Sequence, residues 1–137
     1  MTTIAWDGRT LAADTRATAC GLAYGIVKAV RLKDGRLYGA SGAADDCKAA
    51  QNWLDSGGEK PTVKDYAGIV IGADLSIWRY EDKLVPFPVT DRFHAIGSGR
   101  DFAIAAMHMG KTAREAVELA IVYDIYTGGP ITELTIE

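Results

Sequence analysis

Thr2 is the residue that could do chemistry with the least help from any other. Removal of Met1, which a small second residue permits, would leave a free α-amine beside a β-hydroxyl on one residue. That amine, with an ordinary pKa of about 8, is a base available near neutral pH, whereas a lysine ammonium at about 10.4 is not. Nucleophile and general base would then be one residue, a known variant of the hydrolytic triad. Threonine after methionine is a common start, so the pair carries weight only through its surroundings.

The other reactive side chains offer less. Cys20 and Cys47 have neither CxxC spacing nor Cys or His partners for a metal, and they read as small reduced core thiols. His94 and His108 stand alone beside apolar stretches, the usual setting of structural histidines. No cofactor and no metal are expected.

Elements far apart in sequence must bring partners to Thr2. Thr2–Trp6 and Arg9–Ala13 flank Asp7-Gly8, a dipeptide suited to a two-residue hairpin turn, and Ile26–Lys33 and Arg36–Ala40 flank Asp34-Gly35 in the same way. From Ala43 to Ser56 the apolar positions Ala44, Cys47, Ala50 and Leu54 recur at helical spacing, and Ser56-Gly57-Gly58 stops the helix. Tyr66–Ala73 and Ser76–Glu81 predict a third strand pair, and Pro86 and Pro88 break the pattern before Arg92–Ile96. Arg100–Met109 predicts a helix, and Thr112 with Glu115 forms a capping box that opens another. Asp124–Thr127 and Ile131–Ile136 predict two last strand pieces around Gly128-Gly129-Pro130. This order is α+β, consistent with two packed antiparallel sheets covered by helices on their outer faces.

Composition excludes several function classes. The 137 residues are 48% hydrophobic and 24% charged, enough for one packed core in a single domain. The net charge is −3, and the 15 basic residues are scattered rather than gathered in a stripe, so nucleic acid and anionic membrane are not expected partners. No stretch reaches the roughly 18 apolar residues of a membrane span, and the first residues lack the basic and apolar regions of a secretory signal. A cytoplasmic location is expected.

Six segments lie in order over nearly the whole chain: Thr2-Thr3-Ile4, Ala13-Asp14-Thr15-Arg16-Ala17-Thr18, Ala40-Ser41-Gly42-Ala43-Ala44-Asp45, Ala95-Ile96-Gly97-Ser98-Gly99, Thr112-Ala113-Arg114-Glu115-Ala116 and Ile125-Tyr126-Thr127. Together they resemble the proteasome β-subunit and bacterial HslV family of threonine peptidases, in a compact bacterial or phage-like form. The resemblance implies the Ntn-hydrolase fold, a four-layer αββα sandwich of two antiparallel sheets, as one domain over residues 1–137. One helical layer would be reduced, because the missing length falls after Trp53, where the family carries a second long helix. The implied activity is endopeptidase cleavage by an N-terminal threonine within a self-compartmentalised homo-oligomer. Unfolded polypeptide would be the substrate, and an ATP-dependent unfoldase is an admissible partner.

Position by position, the resemblance makes Thr2 the nucleophile and Asp14 the buried carboxylate, with Lys28 as the cation that pairs with it. A nearby ammonium would also disfavour protonation of the Thr2 amine. Ser98 would hydrogen-bond that amine, and the backbone N–H of Ser41, with Gly42, would hold the oxyanion. Ala17, Thr18, Ile26, Gly39 and Ala43 would form a specificity pocket for an apolar side chain. The family's supporting aspartate near the C-terminal helix aligns best with Glu118. The family often has two adjacent lysines where this chain reads Val27-Lys28-Ala29-Val30, so an ungapped alignment would put Ala29 at the catalytic position; Lys28 is assigned because the hairpin here is shorter. Taken singly, Asp14 also fits a turn, Lys28 a solvated strand and Gly97-Ser98-Gly99 a strand-to-helix turn. Strand faces bearing Ile69, Ile71 and Ile77, uncovered by the reduced layer, are expected to drive oligomerisation. Two other readings compete: a small-molecule Ntn amidase, for which no polar cluster is evident, and a non-catalytic shell or assembly protein that retains Met1.

Overall fold

The computed structural model describes residues 1–136. The first hairpin joins β1 (Ile4–Trp6) to β2 (Thr10–Ala13), and the Asp7 carboxylate ties its turn by accepting from the Arg9 and Thr10 N–H groups at 2.9 and 2.8 Å. β3 (Arg16–Ala19) and β4 (Leu22–Gly25) pair only with each other among the described strands. The second expected hairpin forms β5 (Ala29–Arg31) and β6 (Leu37–Gly42), followed by α1 (Ala44–Ser56). β7 (Tyr66–Ile71), β8 (Ile77–Tyr80) and β9 (Phe87–Val89) extend the same sheet, with Pro88 on its edge strand, where a missing N–H is tolerated. β10 (His94–Ile96), α2 (Arg100–His108), α3 (Ala113–Tyr123) and β11 (Thr132–Thr135) complete the α+β fold. Both bonds of the Thr112–Glu115 capping box are made.

One antiparallel sheet runs β10-β1-β2-β11 and another β5-β6-β7-β8-β9. Side chains alternate faces along a strand, and β1 shows the result. Ile4 and Trp6 pack with Leu37, Ile69 and Ile71 of the second sheet, while Ala5 and Ala12 on the other face pack with Ala103, Ala116 and Val117 of α2 and α3. A third cluster sets Tyr38, Ala40 and Val70 of the second sheet against Ala50 of α1.

Several expectations change. Ile69, Ile71 and Ile77 are buried in the cluster between the sheets, so they supply no reason for self-association. Among the exposed large apolar groups, a run stands instead at and after the end of α3, at Val122, Tyr123, Ile125 and Tyr126, with Phe102 stacked on Tyr123. Asp124–Thr127 is not a strand but a turn closed by a hydrogen bond from Thr127 N–H to the Asp124 carbonyl at 3.1 Å. Cys20 is exposed in the β3–β4 turn rather than in a core; Cys47 is half-buried, and burial pushes its thiol up to about 11.

Candidate active site

The start of β1 is fixed from both sides. Thr3, fully buried, donates its N–H to Asp14 Oδ1 at 2.9 Å and returns its carbonyl to Asp14 N–H at 3.1 Å, extending the β1–β2 ladder by a side-chain bond. Asp14 is fully buried just past the end of β2. Its carboxylate also accepts from Gly128 N–H at 3.1 Å and from Lys28 Nζ at 3.1 and 3.0 Å. A buried charge persists only when its acceptor sites are filled in this way.

Lys28 immediately precedes β5. Its neighbour Ala29 is in the core between the sheets, and alternation along the chain sends the Lys28 side chain toward Asp14. Only 4% of that side chain is accessible. Burial pushes the Lys28 ammonium below its ordinary range, and Asp14 opposes the shift. Nζ also donates to the Met1 carbonyl oxygen at 3.0 Å. The Thr2 hydroxyl donates to that same oxygen at 2.7 Å, so Lys28 and Thr2 meet at one acceptor rather than in a direct bond.

The Thr2 N–H donates to Ser98 Oγ at 3.0 Å. Ser98 Oγ lies 2.6 Å from Asp124 Oδ2 and 3.3 Å from the Thr2 carbonyl oxygen; having one proton, it commits that proton to the shorter contact. Asp124 Oδ2 also accepts from Thr127 Oγ1 at 2.6 Å, and Oδ1 from Tyr126 N–H at 3.1 Å. Burial acts to raise the Asp124 carboxyl, but the bonds from Ser98, Thr127 and Tyr126 outweigh it and hold the group below its ordinary value. Thr127 Oγ1, committed to Asp124, accepts from Thr3 Oγ1 at 2.7 Å. Gly97, at φ 98°, brings the chain so close to Thr2 that a Cβ there would strike the Thr2 carbonyl. The Met1 amine falls below its ordinary value: burial lowers it, Asp124 raises it and Lys28 lowers it further.

A cavity of about 440 Å³ opens beside Thr2. Ala17, Thr18, Ile26 and Ala43, assigned from the sequence to a specificity pocket, line it, and so does Gly42, assigned to the oxyanion. Gly39 does not. It is on the β6 face toward the sheet interface, where a Cβ would come within 3.0 Å of the Ile4 methyl groups, and its neighbours Tyr38 and Ala40 line the cavity instead. Ser41, opposite Ala67 on β6, is also outside the lining; Gly42 follows it at φ 125°. Glu118 is exposed on α3 and holds nothing at Thr2; the carboxylate that Ser98 meets is that of Asp124, at the end of that helix. Asp124, Thr127, Thr3 and Gly128 were missed as site residues; an Asp with a Thr three residues on, directly after a helix, is the turn signal that could have found two of them. Among the described residues, no group of three or more His, Cys, Asp or Glu side chains is arranged to hold a metal, and no helix is long and apolar enough to cross a membrane.

No protein-family model and no curated protein matches the chain. Among solved structures, Thiobacillus denitrificans BPH in complex with epoxomicin is similar, with a TM-score of 0.76 and 17% identity over 99% of this chain and 98% of that one. A second structure of Thiobacillus denitrificans BPH gives 0.69 at the same identity and coverage. At that identity the likeness shows a shared fold.

Proposed function

We propose that the protein is a threonine-type endopeptidase in which Thr2, freed at its amine by cleavage of the bond to Met1, is nucleophile and base together. One observation carries the reading: Ser98 meets the Thr2 nitrogen, while Lys28, held by Asp14, meets the same carbonyl oxygen as the Thr2 hydroxyl. Likeness to a protein solved with epoxomicin supports it, because a peptide epoxyketone joins both the hydroxyl and the free amine of an N-terminal threonine.

In this mechanism the amine takes the Oγ1 proton as the oxygen attacks the peptide carbonyl. Lys28 keeps the amine neutral by like charge, and Ser98, anchored on Asp124, orients it. The oxyanion is held by the backbone N–H of Ser41 or Gly42, worth about 3 kcal/mol for each well-placed donor. The amine then gives its proton to the leaving nitrogen, and water hydrolyses the ester left on Thr2.

The wider reading is one domain with an αββα sandwich of the Ntn-hydrolase kind, α1 forming the reduced layer. It is a cytoplasmic homo-oligomer acting on unfolded polypeptide, with an ATP-dependent unfoldase as a partner to be tested. The exposed apolar group after α3 supports self-association.

The test is incubation with epoxomicin followed by intact and fragment mass spectrometry. A morpholine adduct on Thr2 of protein lacking Met1, absent in a folded Thr2→Ala variant, is the expected result. Full peptide hydrolysis by Thr2→Ala, or no adduct on Met1-free protein, overturns the assignment. A second reading, a shell protein retaining Met1, has one observation in its favour: the Met1 carbonyl satisfies both Thr2 and Lys28. Intact mass separates the two.

A further inference from the structure

We propose that the cavity beside Thr2 selects an acidic side chain at the residue whose carbonyl is attacked, with Lys48 as the counter-charge; this rests on the peptidase reading above. α1 presents Ala44, Cys47, Lys48 and Gln51 to the cavity, positions spaced i, i+3, i+4 and i+7 on one helix face. That stripe begins with a small residue and continues into a cation and an amide. The sequence alone favoured an apolar pocket, because Ala17, Ile26 and Ala43 are apolar; the charged residues on the lining change that expectation.

Four charged residues line the cavity: Arg16, Lys28, Lys48 and Asp65. Lys28 is committed to buried Asp14. Among the described residues, neither Lys48 nor Arg16 has an ion-pair partner. Arg16, half-buried on β3, packs its guanidinium against Gly128, on the wall formed by the β3–β4 hairpin. Asp65 is the one carboxylate of the lining, and its field reaches the Met1 amine. Two uncommitted cations thus face one carboxylate, in a chain whose net charge is −3.

An aliphatic stem of two methylenes fits against Ile26, Ala40 and Ala43, and a terminal carboxylate is the group that Lys48, as a compact charge on a flexible stem, can meet. The Gln51 amide, one turn along the helix, offers neutral N–H donors to the same oxygen atoms. Glutamate satisfies both requirements. Leucine would leave Lys48 without a counter-charge, and arginine would face two cations.

The experiment uses peptide epoxyketones identical except for Glu, Gln, Leu or Arg at the residue bearing the warhead, with the rate of adduct formation read by intact mass. Glu should react fastest, ahead of Leu by about fivefold, the scale of one partly exposed ion pair, and Arg should be slowest. The Glu over Gln ratio isolates charge from shape. Lys48→Glu should reverse the order of Glu and Arg, and Lys48→Met should level it; Lys48 is exposed, so both variants are expected to fold. Equal rates for Glu and Arg, or an order unchanged in Lys48→Glu, overturn the charge selection while leaving the nucleophile intact. No adduct with any of the four overturns the peptidase reading, and the selection with it.

Discussion

Replacing Lys28 by Met tests the most demanding part of the site. Met keeps most of the apolar stem and removes the ammonium, leaving Asp14 fully buried and charged without its cation. Breaking a buried pair by removing one partner costs about 3–5 kcal/mol. Asp14 retains the N–H groups of Thr3 and Gly128, which argues for the lower end, about 3 kcal/mol. Against a total of about 5–15 kcal/mol this is a large loss, equivalent to roughly 10 °C in Tm for a chain of this size. Equilibrium urea unfolding of wild type, Lys28→Met, Asp14→Asn and the double variant is the assay. Asn keeps an acceptor for Thr3 but carries no charge, so the double variant should recover at least about 1 kcal/mol relative to the sum of the singles. It should not recover peptidase activity, because the amine still lacks its neighbouring cation. A cost below about 0.5 kcal/mol for Lys28→Met, the scale of an ordinary surface substitution, would refute the buried-pair argument.

Three further predictions follow from the same geometry. The Asp124 carboxyl is held below its ordinary value, so its stabilisation is fully present above the unfolded pKa of about 4 and is lost as pH falls through the lower folded one; Asp124→Asn should flatten the acid side of the stability curve. In kcat/KM profiles, Asp124→Asn should move the acid limb to lower pH and Lys28→Met to higher pH, because a carboxylate behind Ser98 raises the pKa of the Thr2 amine of the peptidase reading and the Lys28 ammonium lowers it; shifts in the same direction contradict the assignment. Gly97→Ala should cost at least about 2 kcal/mol, from positive φ and collision with the Thr2 carbonyl. Gly110→Ala, also at positive φ but with open space around it, should cost roughly 1 kcal/mol, and equal losses in thermal unfolding would remove the contact argument.

Legibility in the sequence followed the strength of local signals. The Asp-Gly dipeptides at 7–8 and 34–35 led to hairpins because few residues other than glycine accept the backbone such turns need, and the Thr112–Glu115 box marked a helix start by its own two bonds. The β3–β4 hairpin went unseen. Its turn is Cys20-Gly21, a weak dipeptide with both residues at positive φ, and β4 is exposed at every position, so no alternation of burial reaches the sequence. Thr2, Asp14, Lys28 and Ser98 lie up to 96 residues apart, and no period connects them; the resemblance, not spacing, proposed their meeting. Gly39 failed by strand parity, since a one-residue offset exchanges the cavity face for the core face. Glu118 failed because an alignment within a helix ignores where the helix stops, and the carboxylate that meets Ser98 is at the stop.

Thr2 and Thr3 are held by residues from the far end of the chain: Asp124 through Ser98, Thr127 on the Thr3 hydroxyl, and Gly128 through Asp14. This makes Met1 the point where the two functional readings part. While Met1 is present, its carbonyl oxygen accepts both the Thr2 hydroxyl and the Lys28 ammonium, and neither donor lacks a partner. Losing it leaves two donors in a site where each unsatisfied group costs about 1–3 kcal/mol. In the peptidase reading the hydroxyl turns to the new terminal amine on its own residue, which is the contact that transfers the proton, and Lys28 keeps Asp14 while its field lowers the amine. The Lys28–Asp14 and Ser98–Asp124 bonds are made without Met1, so they require no rearrangement on its loss. In that reading, cleavage at one bond exchanges a closed hydrogen-bond set for an open one that a substrate carbonyl and the attacking Thr2 oxygen complete.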